Sequence, residues 1–116
     1  MAESKKHPYS KLFEKGGIVY VSGTASMDYA TFTPAKGRME SCEAALDEVV
    51  KRLATVGLDL RHVVKMTYFV TDITLRNEAN DQFEKRFSEP RPARTVIGVS
   101  QLPFGCMVAI DAIAHR

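Results

Sequence analysis

Apolar residues recur along the chain with two periods, one helical and one strand-like, and the switches between them outline the fold. Gly16-Gly17 marks a turn, and Ile18, Val19, Tyr20 and Val21 after it predict a strand that stops near Ser22-Gly23. Residues 24–37 are rich in Thr, Ser, Pro and Gly and read mainly as loop. From Arg38 to Val56 the apolar positions Met39, Cys42, Leu46, Val49, Val50, Leu53 and Val56 form one helical stripe, with Gly57 suited to the residue just beyond the C-terminus. Asp47–Lys51 and Glu48–Arg52 are i,i+4 pairs assigned to the wet side of that helix.

Val63 to Thr71 is apolar in nearly every position, the mark of a strand covered on both faces. One face is expected to carry Val64, Met66, Tyr68 and Val70, the other Val63, Lys65, Thr67, Phe69 and Thr71. Two helices can cover only one sheet face, so the second face is expected to meet another subunit. Asp72 or Thr74 can cap a second helix near Leu75 to Phe87, with Leu75, Ala79, Phe83 and Phe87 inward and Pro90 and Pro92 ending it. Arg94 to Ser100 and Met107 to His115 both alternate. Joined as a hairpin, the register matching their apolar sets puts Ile97 opposite Ile110, Thr95 opposite Ala112 and Val99 opposite Val108, on the helix side. Arg94 then falls on the reverse face, diagonal to Asp111, beside the small residues Gly98 and Ala109. The order strands, helix, strand, helix, strand, strand predicts one α+β domain over residues 1–116, with two helices on one sheet face and a flexible stretch over 1–7.

Composition narrows the function classes. With 116 residues, 45% hydrophobic and 26% charged, the chain reads as an ordinary globular protein. A formal charge of +2 is too small to argue for nucleic acid, and no run of Lys or Arg exceeds two residues. No apolar run approaches a membrane span, and Met1 to Lys6 is polar, so a cytoplasmic location is the default expectation. Cys42 falls on the first helix's apolar stripe. Neither it nor Cys106 has metal-ligand spacing, His7, His62 and His115 are scattered, and both thiols read as free with no structural metal.

Several residues are candidates for chemistry. An Arg inside a strand costs desolvation unless paired; Arg94 suits either a planar fork on a substrate carboxylate or a salt bridge to Asp111. Asp111 suits a general base or water-orienting group, or simply the counter-charge of Arg94. Ser22-Gly23 lets backbone approach a ligand, though turn formation explains the pair equally well. Tyr9 can cover a pocket or pack on a sheet edge, and Asn80 lies about one turn from the second helix's stripe, where a solvated position is the plain expectation. Cys106, with no histidine near it in sequence, is a candidate for contact with substrate rather than for attack on it. Phosphate-loop, nucleophile-elbow and metal motifs are absent.

The segments Pro8-Tyr9-Ser10, Ile18-Val19-Tyr20-Val21-Ser22-Gly23, Val63 to Asp72, Pro92-Ala93-Arg94-Thr95-Val96, Leu102-Pro103 and Ala112-Ile113-Ala114 together resemble the RidA/YjgF family, whose older names are endoribonuclease L-PSP and translation inhibitor. The resemblance runs from Pro8 to the C-terminus. It implies a chorismate-mutase-like fold, a six-stranded mixed sheet, and a homotrimer with clefts between subunits. It further implies cofactor-free hydrolysis of enamines and imines such as 2-aminoacrylate to 2-oxo acids and ammonia. By the same resemblance Arg94 clamps the substrate carboxylate, and Tyr9, Ser22, Gly23 and Asn80 line the cleft.

The closing strand departs from the family. Where members usually read Glu-Ile-Glu-Ala-Ile-Ala, this chain has Ala109-Ile110-Asp111-Ala112-Ile113-Ala114, so the water-positioning Glu is replaced by Ala109. Asp111 shares its face about 7 Å along, at ~3.3 Å per residue. Two outcomes follow: Asp111 takes over the water, or the trimer keeps its carboxylate pocket without the reaction. Thr24-Ala25-Ser26 stands where many members carry Gln-Ile-Pro, which points to a differently shaped pocket. An RNA-cleaving role, suggested by the older name, lacks a basic, aromatic surface motif.

Overall fold

The computed structural model describes residues 7–116; the flexible stretch expected over 1–7 lies, apart from His7, outside the described residues. Strands β1 (Leu12–Lys15) and β2 (Ile18–Ala25) form a hairpin across Gly16-Gly17, whose φ of 60° and 80° need glycine's left-handed freedom. A small ribbon, β3 (Met27–Asp28) with β4 (Thr33–Pro34), leads into α1 (Arg38–Ala54). Then come β5 (Val63–Val70), α2 (Arg76–Arg86), β6 (Ala93–Gly98) and β7 (Val108–His115). Among the described residues the main sheet has five strands in the order β1-β2-β7-β5-β6, not six, because the two-residue strands of the ribbon pair only with each other.

Both helices cover one face. From α1, Cys42, Leu46, Val49 and Leu53 are fully buried, as their stripe predicts, and from α2 Ala79 and Phe83 are buried, flanked by Leu75 and Phe87. They meet Val19, Val21, Met66, Tyr68, Val70, Val108, Ile110, Ala112 and Ala114 from the sheet. Asp72 accepts a hydrogen bond from the Thr74 amide and so caps the short 3₁₀ turn that opens into α2.

The hairpin register expected for the last two strands is not formed. The chain leaves β5, crosses through α2 and returns, so β6 lies parallel beside β5 at the sheet edge, with Met66 next to Arg94 and Thr67 next to Thr95. β7 instead enters between β2 and β5, antiparallel to both. The faces of β6 are therefore reversed: Val96 packs toward the core, whereas Ile97 is 42% exposed on the open side. An edge strand with aliphatic residues on both faces carries no alternation signal that tells which one is covered.

Two irregularities change the expected faces. Between Val63 and Lys65 the pairing with β7 shifts, so Val63 is buried and Val64 is 48% exposed, opposite to a plain period-two reading. β2 does not stop at Ser22-Gly23: Val21 pairs with Ala112 and Thr24 with Ile110, leaving Ser22-Gly23 as a bulge opposite Asp111. The Glu48–Arg52 pair also departs from expectation. It lies under β2 and the β2–β4 segment, with Glu48 7% and Arg52 3% exposed. Among the described residues no helix is long and apolar enough to cross a membrane.

Candidate functional site

The fold sorts the candidate residues into two groups on different faces. In the first, Arg94 on β6 points to the helix side, because its parallel neighbour Met66 does. Its guanidinium lies over the rings of Phe83 and Tyr68, 5.0 and 5.6 Å from their centroids. One Nη2–H is donated to Asn80 Oδ1 at 2.6 Å. Asn80 is thus half-buried against Arg94, not simply solvated. These residues border an open cavity of about 310 Å³, lined by Asn80, Phe83, Glu84, Arg91 and Arg94.

Arg94 forms no salt bridge among the described residues. Burial, and then the nearby Arg76 charge, lower its pKa below the usual arginine range. A planar cation held by π-faces and a neutral amide, without a counter-charge, is suited to an anion from outside.

The second group lies on β2 and β7. The Ser22-Gly23 bulge faces Asp111 across the ladder. Ser22 donates its hydroxyl to the Ser10 carbonyl at 2.7 Å, which ties the bulge to the segment carrying Tyr9. Tyr9 is 49% exposed and stacks on His7. Nothing lies within 4 Å of where a Cβ of Gly23 would stand, so that backbone is open to approach. Asp111 projects to the open face, level with Thr67 on β5 and Thr95 beyond it. Lys65 Nζ donates to the hydroxyls of both threonines, at 3.1 and 3.2 Å. Burial raises the Asp111 pKa, partly offset by Thr67 and Lys65.

The expected Arg94–Asp111 neighbourhood is therefore absent. The two side chains are on opposite faces, since β6 is parallel to β5 and Arg94 is level with Met66 rather than with Thr67. Ser22-Gly23 and Arg94 are three strand spacings apart in one chain, about 14 Å at ~4.8 Å per spacing. Cys106 joins neither group: it is buried just before β7, six residues from Ala112 at the level of Arg94, or about 20 Å along the strand. Tyr68 and Phe83, the aromatic seat of Arg94, escape a reading of residue chemistry because their apolar spacing marks them only as core. The parallel pairing of β5 with β6 is what brings them under the guanidinium. Among the described residues no cluster of His, Cys, Asp and Glu could hold a metal.

A family model described as Endoribonuclease L-PSP matches residues 2–116. The Protein DfrA of Myxococcus xanthus is 36% identical over 110 residues, covering 92% of this chain and 84% of that protein. A 2-iminobutanoate/2-iminopropanoate deaminase of Capra hircus is 35% identical over 109 residues, covering 92% and 79%. The crystal structure of RidA from an Antarctic Psychrobacter superimposes with a TM-score of 0.89 at 30% identity, covering 95% of this chain and 89% of that one. The chain belongs to the RidA/YjgF family.

Proposed function

We propose that the protein hydrolyses reactive enamines and imines of the 2-aminoacrylate type to 2-oxo acids and ammonia, without a cofactor, in a homotrimer whose clefts lie between neighbouring chains. The observation that carries this reading is Arg94: a partly buried guanidinium seated on Phe83, Tyr68 and Asn80 with no ion-pair partner among the described residues. A substrate carboxylate completes it by a bidentate pair. The two groups of candidate residues stand on different faces of one chain, so a cleft that uses both takes Arg94 and Asn80 from one copy. Tyr9, Ser22, Gly23 and Asp111 come from the next.

The chemistry asks little beyond positioning. The enamine tautomerises to the imine, water adds to the imine carbon, the carbinolamine nitrogen takes a proton, and the C–N bond breaks to release ammonia and leave the 2-oxo acid. Asp111, whose pKa burial raises, is the group suited to accept the proton from water and return it to nitrogen. Relatives named as deaminases support this reading.

A second reading has its own observation. At the level of Ala109 the sheet offers Ala25, Phe69 and Ile97, with no acid in that row. A trimer that binds a carboxylate ligand without turning it over fits this row. Decay of 2-aminoacrylate generated by a dehydratase distinguishes the two, assayed with wild type, Arg94→Ala, Asp111→Ala and Ala109→Glu. Turnover lost in both Arg94→Ala and Asp111→Ala supports the deaminase. An inactive wild type that gains activity in Ala109→Glu overturns it in favour of the binding trimer.

A further inference from the structure

Arg52 is the most enclosed charge on α1, and it ties that helix to the Ser22-Gly23 bulge of β2 and to the neighbouring residues Lys11 and Tyr29. Its Nε–H is donated to Glu48 Oε2 at 3.0 Å, and Nη1–H to the carbonyl oxygens of Ser22 at 3.1 Å and Lys11 at 3.4 Å. The guanidinium carbon sits 5.3 Å from the Tyr29 ring centroid, and the Tyr29 hydroxyl accepts the Ala25 amide at 2.7 Å. Just past the bulge, the buried Thr24 hydroxyl is donated to the Ala45 carbonyl of α1 at 2.8 Å. The bulge is thus gripped on both sides from one helix.

Stability alone does not account for this arrangement. Arg52 Nη2 is buried without a partner among the described residues. A buried ion pair with an orphaned donor is commonly no better than apolar residues of the same volume. What the pair does provide is direction. Ser22 C=O and Gly23 N–H belong to one peptide unit, so a cation on that oxygen withdraws electron density from the unit and makes the N–H a stronger donor. On the Cα side of Gly23 nothing lies within 4 Å of where a Cβ would stand, so a ligand has room to reach this peptide.

We infer that Arg52, held by Glu48 and Tyr29, is a positioning residue: it fixes the Ser22-Gly23 bulge and polarises its peptide so that the Gly23 N–H is presented to the substrate carboxylate. This rests on the carboxylate reading of the site given above.

The test compares wild type, Glu48→Leu/Arg52→Met and Arg94→Ala as full-length assembled protein. The double substitution removes both charges together, so no lone ion is left buried. Its thermal midpoint and oligomeric state are expected to match or exceed wild type. The Gly23 amide proton is expected to move upfield, with the remote Gly57 amide unmoved, and the Kd for 2-oxobutyrate to rise about three- to tenfold. Arg94→Ala is expected to lose 2-oxobutyrate binding with the Gly23 amide in place. A Gly23 amide that stays put in the double variant overturns the inference, as does one that moves while affinity is unchanged. A wild type that binds no 2-oxobutyrate, indistinguishable from Arg94→Ala, overturns the carboxylate reading and the substrate role of Gly23 with it. The amide shift in the double variant still reports separately whether Arg52 acts on the bulge.

Discussion

On the helix-covered face of the sheet Val19, Met66, Tyr68, Val108 and Ile110 are sealed from water, and the charged side chain that the strands themselves contribute there, Arg94, sits on the outermost strand, while the Glu48–Arg52 pair reaches in from α1. On the opposite face Lys65, Thr67, Thr95 and Asp111 make a polar centre, and Phe13, Tyr20 and Ile97 stand 58%, 46% and 42% exposed around it. The apolar core on the first face is complete within one chain. The second leaves aromatic and aliphatic surface in water that an isolated domain gains nothing from exposing, and it is the face we assign to contact with neighbouring copies. Each face holds one of the two charged candidates, and strand alternation keeps them apart in a single molecule.

The strongest way to break this comparison is to separate the charges genetically. Asp111→Ala is expected to lower turnover about 10²–10⁴-fold, the usual cost of one acid–base group. Arg94→Ala is expected to lower it about 10²–10³-fold, as for truncating one side of a hydrogen-bonded charge pair that the bound substrate shields from water. Mixing the two variants as unfolded chains and refolding them together should recover about a quarter of wild-type activity, because random pairing at the proposed head-to-tail interface would unite an intact Arg94 with an intact Asp111 in that fraction of clefts. No recovery would mean that both residues act from the same chain or that one does not act.

Stability should divide along the same line. Met66→Ala empties a fully buried position on the helix side and is expected to cost about 2–5 kcal/mol in denaturant unfolding. Tyr20→Glu on the open face is expected to leave each chain folded and to lower the assembled mass in sedimentation. A large unfolding effect with no change in mass would reassign that face.

A smaller effect concerns pH. Burial raises the folded-state pKa of Asp111 above its unfolded value, so its ionisation opposes folding. The folded state binds the proton more tightly, and stability from this group falls as pH rises from the unfolded pKa through the folded one. Asp111→Asn should therefore be as stable as wild type or more so at pH 7, with the difference vanishing below the ordinary carboxylate range. A gap that widens on acidification would contradict this. Smallest of all, the buried Cys42 thiol is pushed up to about 11 by burial. Iodoacetamide at pH 8 should spare it in the folded protein and label it after unfolding.

The helices were legible because burial on α1 and α2 follows one uninterrupted period. The family was legible because Pro92-Ala93-Arg94-Thr95 and Ala112-Ile113-Ala114 survive as contiguous words. Ser22 and Gly23 read in sequence as a strand end suited equally to a turn or to ligand approach, yet they form a bulge inside a longer strand; the difference depends on Ala112 and Ile110, about ninety positions away in sequence. Glu48 and Arg52 look like a solvated i,i+4 pair until the β2–β4 segment folds over them.

By itself, then, the sequence determined where the two helices and the longer strands β2, β5, β6 and β7 lie, which apolar stripe of each helix is inward, and that an arginine on a strand needs a partner. These depend on local periodicity and on the cost of desolvating a charge, which each segment carries with it. Tertiary structure decided which strands are neighbours: α2 carries the chain back parallel to β5, and β7 takes the place beside it that a simple hairpin would have given to β6. Because alternate residues of a strand point to opposite faces, that choice of neighbour and register sends Arg94 to Phe83 and Asn80, and Asp111 to the open side of the sheet.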